Sequence, residues 1–596
     1  MTAEHAGATR TERAVNGVLL PGFENRGRPA GDPDRDDGLV PDWLADAARA
    51  GLAGVVYFAR NTPDVATTTA LSGALHAISP DLVIAVDEEG GDVSRLEAVA
   101  GSSLPGAAAL GAHPGGGTVS LDAGRALGRL LAATGIDLLL GPVLDVVSEP
   151  DNPVIGVRAF GTTPDDVARH GIAFARGVRS AGVGVCGKHF PGHGATTVDS
   201  HVGLPVVDEP LDVVRARDLL PFARALRPEG RDAGQSTLDA VMTAHVLFPA
   251  IGPAPASIEP AATRLLRELG HDGPVITDAL DMGALRQLTG SVGEAAVRAV
   301  EAGADLLCLG LDPELYTESY DALSRAVATG RLAVERLEES RSRTRALVAA
   351  VRDRRAAAST ATGVDAAREA LADLTEVGAS IADAVVHVRG RLVPLGPAAE
   401  PDVADLRTRL DHAAGRKARH VQSAIVASWP GARVFPDDSG AEVEADGDAA
   451  PEAAARQPVE LGLDEHGLAV LIARFSRYGV TADLDRIGTE RGAEFPEGVP
   501  HGASRAEPLV VITREPVPGS AERARLEQLW AVRPDLVVVH TGLPGPVEDW
   551  FGAMRGGGPA VVVACGTGRA NAAAAVERLR GAAGRQHSEE QGSSER

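Results

Sequence analysis

Eight short runs rich in Leu, Val and Ile recur between residues 17 and 310, and helical patterns separate them. The runs are GVLLPG (17–22), GVVYFA (54–59), LVIAVD (82–87), DLLLGP (137–142), GVGVCGK (182–188), AVMTAH (240–245), PVITDA (274–279) and DLLCLG (305–310). Each is continuously apolar rather than alternating, the pattern of a strand buried on both faces. Segments between them, such as DWLADAARAGL, AGRALGRLLAATG and VGEAAVRAVEAG, carry apolar residues at helical spacing. Several close on glycine, a helix stop. Eight such alternations predict an α/β fold with a (β/α)8 TIM barrel over residues 15–355. An open doubly wound sheet is the competing topology.

The chain continues well past the barrel. Residues 356–366, opening with AAASTATG, read as a linker, and a second, sandwich-like α/β domain is expected over 367–582. Its strands are expected at SAIVAS (423–428), LAVLIA (468–473), PLVVIT (508–513), DLVVVH (535–540) and AVVVAC (560–565). ALADLTEVGASIADAVV reads as a helix running into a further strand. The acidic segment 437–455 reads as a solvated loop, and residues 1–14 and 583–596 as flexible tails.

Composition narrows the function. A formal net charge of −24 opposes a phosphate-binding surface, so no nucleic-acid partner is expected. Cys186, Cys308 and Cys565 lie far apart in apolar runs and read as buried free thiols of a reducing compartment. No apolar secretion segment opens the sequence and no stretch reaches membrane-span length, so the expectation is a cytoplasmic protein with no membrane partner. Aromatic residues make up 3% of the chain. A bound sugar would therefore be held by polar side chains rather than by a stacking platform.

In a (β/α)8 barrel the active site lies at the C-terminal strand ends. There the sequence places Asp87, Glu88, Glu89 and Arg95 after strand three, Asp145 and Arg158 after strand four, and KHFPGHG leading to DSH after strand five. His245 ends strand six, and Asp278 and Asp281 follow strand seven. Of the 16 histidines, three fall in the loop 188–201, which becomes one wall of a shared pocket. Asp278 reads equally as a nucleophile or as a helix cap, with Asp281 the better capping candidate. Asp199 and His201 read as a carboxylate–imidazole couple or as a surface turn. Lys188 and His189 could simply end a strand, and Arg95 and Arg158 could form surface ion pairs. His193 is a loop residue or a metal ligand, but HxxxxxDxH lacks a third ligand at a recognisable spacing.

Taken together, VDEEGGDVSRL, GPVLDV, NPVIGVRAFG, GKHFPGHG, DSHVGLP, VMTAH and ITDALDMGAL resemble glycoside hydrolase family 3, and within it the NagZ-type bacterial β-N-acetylglucosaminidases. The pieces occur in the expected order over about residues 15 to 345. The resemblance implies Asp278 as the nucleophile and His201, paired with Asp199, as the general acid/base. It implies Asp87, Arg95, Arg158, Lys188 and His189 as the grip on the terminal sugar, with His193 supporting loop and pocket. It also implies exo action on a small oligosaccharide or muropeptide, with no metal and no organic cofactor. Two positions depart from the family pattern: Asp92 stands where Arg is common, and Ala195 where an acid is common. A phosphorylase, a glucosidase or xylosidase of the same family, and a silent sugar-binding protein are the alternatives. Oligomeric state stays open.

Overall fold

The computed structural model describes residues 8–24, 39–200, 203–227, 236–407, 419–435, 507–552, 554 and 558–582. His201, the expected strand at 468–473, the acidic loop 437–455 and the tail 583–596 lie outside the described residues. The chain divides into two compact units, the first reaching Gly378 and the second beginning at Ala379.

All eight expected runs of the first unit are strands: β1 (Leu19–Pro21), β2 (Gly54–Tyr57), β3 (Val83–Val86), β4 (Leu138–Leu139), β5 (Gly184–Phe190), β6 (Ala240–Thr243), β7 (Val275–Thr277) and β8 (Leu307–Leu309). β2 to β7 pair in chain order, β1 pairs with β8, and a parallel bridge between Ile276 and Leu306 joins β7 to β8. The result is a curled, TIM-like parallel sheet with helices between its strands. Continuous apolar runs suit it because one face of each strand meets the interior and the other meets a helix. Val56, Ala85, Leu138, Cys186, Met242 and Cys308 belong to one buried cluster. Leu347, Val348 and Val351 of the helix Val334–Ala358 join it. Burying one such side chain stabilises the fold by about 1.5–3 kcal/mol.

Three acids mark the N-terminal strand ends. Asp137 accepts from Ile84 N–H at 3.1 Å, Asp239 from Val185 N–H at 3.1 Å and Asp305 from Val275 N–H at 3.0 Å. The helix Val334–Ala358 answers all three: Arg355 meets Asp137, Arg354 meets Asp239, and Arg336 and Arg343 meet Asp305. Charges buried at this end are thus paired, which their burial requires. The opposite end is left to the residues after each strand.

The first helix, Arg10–Asn16, starts earlier than a barrel beginning at residue 15, with a Thr9–Glu12 capping box holding its first turn. Ser359, in the left-handed region at φ 51°, ends the helix Val334–Ala358, and the next helix, Val364–Val385, begins inside the stretch read as a linker.

In the second unit β9 (His387–Arg389), β10 (Asp402–Asp405), β11 (Arg433–Phe435), β12 (Leu509–Thr513), β13 (Val537–His540) and β14 (Ala560–Val563) form a sheet in the order 11-10-12-13-14-9. Only β9 is antiparallel to its neighbour. Residues 423–428 are not the expected strand; they belong to the helix His420–Ser428. Val421, Gln422 and Ile425 are its buried face. That spacing is helical, and the apolar run AIVA hid it.

Candidate active site

The polar residues gather where the strands of the first unit end. Lys188, near the end of β5, is 2% exposed and places Nζ 2.5 Å from Asp87 Oδ1 and 2.6 Å from Glu89 Oε1. Arg158 donates to both oxygens of Glu89 through Nε and Nη2, each at 2.9 Å, the planar fork that suits a guanidinium. Glu89 is the common partner of both cations. Burial alone would raise its carboxyl; Arg158 and Lys188 outweigh burial and hold it well below the usual range. Burial opposes charge on Lys188 as well, and Asp87 and Glu89 keep its ammonium above the ordinary value. The cluster is therefore charged at neutral pH, which a buried group permits only when paired.

Asp145 organises the next layer. It is fully buried after β4 and takes His189 Nδ1–H at 2.6 Å, His189 N–H at 3.2 Å and His193 N–H at 2.7 Å. Burial works against its charge, but His189 and the backbone donors win and lower the carboxyl. With Nδ1–H committed to a carboxylate, Nε2 of His189 turns its lone pair to Arg158 Nη2, 3.4 Å away.

His193 is buried, and its ring is held by two hydroxyls, Thr196 Oγ1 at 2.8 Å and Ser200 Oγ at 3.1 Å. Asn152 Nδ2 donates to its carbonyl at 2.9 Å. Burial, then the neighbouring His189, push the imidazole down to about 4. At pH 7 the ring is therefore neutral, held between its two hydroxyl partners. Gly194 is required here: a Cβ would sit 2.0 Å from Val146 O. Gly91, at φ 61°, is likewise fixed, its Cβ position lying 2.9 Å from Gly106 Cα. Asp92 beside it is buried, and Ala195 is half-buried.

Asp278 stands half-buried after β7. Its N–H bonds Thr243 O at 3.1 Å, and its Oδ1 accepts Ala279 N–H at 2.9 Å. His245 donates from Nε2 to Ala279 O at 2.9 Å and accepts from Ser257 on Nδ1 at 2.7 Å, fixing the backbone beside Asp278. The following helix, Gly283–Thr289, has Met282 at its N-cap and no side-chain cap. Asp281, expected as the cap, instead accepts Gly310 N–H at 2.9 Å, and burial raises its carboxyl. Asp199 is half-buried on the loop after β5. Its neighbour Ser200 accepts Ala284 N–H at 3.2 Å, so this loop lies against the segment that follows Asp278. Arg95 sits on the β3 side, its guanidinium carbon 5.9 Å from the centre of the Phe58 ring after β2.

Asp87, Arg158, Lys188, His189 and His193 are thus linked through a few hydrogen bonds after β3, β4 and β5, with Arg95 after β3, Asp199 after β5 and Asp278 after β7. Glu89 and Asp145 had no role assigned from the sequence. An acid inside the apolar run GPVLDVV was the available signal, because a buried carboxylate needs partners. Among the described residues, no group of three or more His, Cys, Asp or Glu could hold a metal ion.

Residues 41–347 match the model described as "Glycosyl hydrolase family 3 N terminal domain". A beta-hexosaminidase of Pseudomonas aeruginosa is 39% identical over 260 residues, 43% of this chain and 74% of that protein. Beta-hexosaminidase A of Pseudoalteromonas piscicida is 33% identical over 347 residues; the match takes in 53% of this chain and spans only 56% of that protein. A solved family 3 β-N-acetylglucosaminidase from Paenibacillus sp. superposes with a TM-score of 0.68 at 28% identity, covering 96% of each chain. A matched region that takes in every strand end from β2 to β8, charged cluster included, places the chain in glycosyl hydrolase family 3.

Proposed function

We propose that the protein is a retaining, exo-acting β-N-acetylglucosaminidase. The observation that carries this reading is the contact between Ser200 O and Ala284 N–H at 3.2 Å. It sets the loop that carries Asp199 against the segment that follows Asp278. The relatives named beta-hexosaminidase support the same class.

In this reading Asp278 attacks the anomeric carbon, and protonated His201 gives its proton to the leaving oxygen. Asp199 holds the imidazole and favours its charged form. A covalent glycosyl-enzyme results, and neutral His201 then takes a proton from the water that releases the sugar. Retaining glycosidases commonly use two carboxyl groups; here the imidazole–carboxylate couple replaces one. His193, neutral near pH 7, is unsuited to that role. Lys188, Asp87, Arg158 and Arg95 present charged hydrogen-bonding groups to the hydroxyls of one terminal sugar, and His189 orients Arg158.

The curled sheet is read as a closed (β/α)8 barrel; Ala53 N–H donates to Asn16 O at 3.0 Å where β1 and β2 adjoin. The second unit is read as the sandwich-like C-terminal domain, and the Paenibacillus likeness over nearly the whole chain supports that. The natural substrate is placed among GlcNAc-capped peptidoglycan fragments handled in the cytoplasm during wall recycling. Three buried free thiols suit a reducing compartment.

Aryl β-GlcNAc hydrolysis, measured with and without inorganic phosphate, tests the proposal. Release of free GlcNAc in both conditions is expected. Sugar phosphate as the product would make the protein a phosphorylase, and turnover of aryl glucoside alone would overturn the sugar assignment.

A further inference from the structure

Glu88 is an ionisable group of the rim that the chemistry above leaves unused. It is 2% exposed. The turn through Gly90 and Gly91 folds the chain back on itself, with Glu89 N–H on Val93 O at 3.0 Å. That return brings two consecutive amides to one oxygen of Glu88: Arg95 N–H and Leu96 N–H each reach Oε2 at 2.8 Å. The Ser94 side chain also bonds the carboxyl. On the far side of Arg95, Thr62 Oγ1–H donates to its carbonyl at 2.7 Å. The main chain of Arg95 is therefore held from both sides, while its guanidinium lies by Phe58 at the rim.

We propose that Glu88 is a positioning residue for sugar binding: its carboxylate clamps the main chain of Arg95 and so fixes where the guanidinium meets the substrate. This rests on the reading of Arg95 as a sugar-contacting residue.

The geometry has a chemical consequence. Glu88 is bonded by neutral N–H and O–H donors, and the charged group facing it is Glu97 of the same loop, itself bonded to Ser103 N–H and Oγ–H at 2.8 and 2.7 Å. Burial pushes the Glu88 carboxyl up to about 7, with Glu97 adding to the rise. Above that pH the two amide bonds of the clamp are charge-assisted; below it they become neutral and weaker. The fold bears the opposite cost. A raised acid gives its stability below its unfolded value and loses it as pH rises through 7. Gln at 88 mimics the protonated form at every pH.

The test compares the full-length wild type with Glu88→Gln and Glu88→Ala on aryl β-GlcNAc between pH 5.5 and 8.5. Wild-type KM should fall severalfold as pH rises through about 7, with Glu88→Gln flat at the acid-side value. Glu88→Ala should raise KM about tenfold at pH 8 and leave kcat within about twofold. The Glu88→Gln protein should melt no lower than wild type at pH 8, which separates positioning from stability. Identical KM–pH curves for wild type and Glu88→Gln, or a fall in kcat with KM unchanged, would overturn the proposal. Amide exchange at Arg95 and Leu96 reads the clamp without substrate. If wild type fails to turn over aryl GlcNAc, the enzyme assignment falls, and equal exchange in wild type and Glu88→Ala would sink the clamp as well.

Discussion

Glu89 is the residue on which the charged wall turns. It neutralises Lys188 and Arg158 together, and Asp87 is a second acid on Lys188. Glu89→Gln keeps the shape but removes the charge between two buried cations. Breaking a buried pair by removing one partner costs about 3–5 kcal/mol, part of it relieved here by Asp87. The expected result is a higher KM for aryl β-GlcNAc and a lower melting temperature. An unchanged KM would show that the cations hold their positions without it. At this scale the sequence was only partly legible. Lys188, His189 and Arg158 were named through the family resemblance, since by position alone they also read as plain strand ends or a surface ion pair. Which acid pairs with which cation is decided by tertiary geometry: Glu89 lies 69 residues from Arg158, and no spacing rule reaches that far.

The element that matters most is the loop after β5. Its shape comes from His193, whose ring binds hydroxyls three and seven residues ahead, and from Asn152 and Asp145 on the neighbouring loop. Because the folded loop holds His193 at about 4, the unfolded chain takes up a proton there near 6.5 that the native state refuses until lower pH. Stability from this group is present above 6.5 and is lost as pH falls toward 4. Between pH 7 and pH 5 that is about 2 kcal/mol. His193→Gln should flatten this part of the acid dependence, seen as a smaller drop in unfolding free energy from pH 7 to pH 5. An equal drop in both proteins would contradict the buried neutral assignment. The motif KHFPGHG was legible because it crowds ionisable groups between glycines and prolines. The role of Gly194 was not, since it depends on Val146 O approaching from a different strand end. Strands were legible wherever both faces are buried, as in PLVVIT and DLVVVH. The reading failed at SAIVAS, where a short apolar run fits either period and only the buried face of Val421, Gln422 and Ile425 decides for helix.

Across the first unit, the ion pairs of Asp137, Asp239 and Asp305 sit at the end of the sheet opposite the candidate site. Asp305 is fully buried and bonds Arg267, Arg336, Arg343 and Ser340 at the N-terminal strand ends. Asp305→Ala leaves three guanidiniums facing one another and Val275 N–H without this acceptor. The expected loss is about 3–5 kcal/mol in urea unfolding, with kcat per folded molecule unchanged. A fall in kcat in protein shown to be folded would mean that the two ends are coupled. The proposed retaining mechanism requires Asp278 as the nucleophile. A fluorinated GlcNAc fluoride, which forms the glycosyl-enzyme quickly and releases it slowly, tests this directly by peptide mass mapping. One added fluorosugar is expected, on the peptide that contains Asp278; a label on another residue, or turnover of the reagent with no covalent species at any time, would contradict the nucleophile assignment.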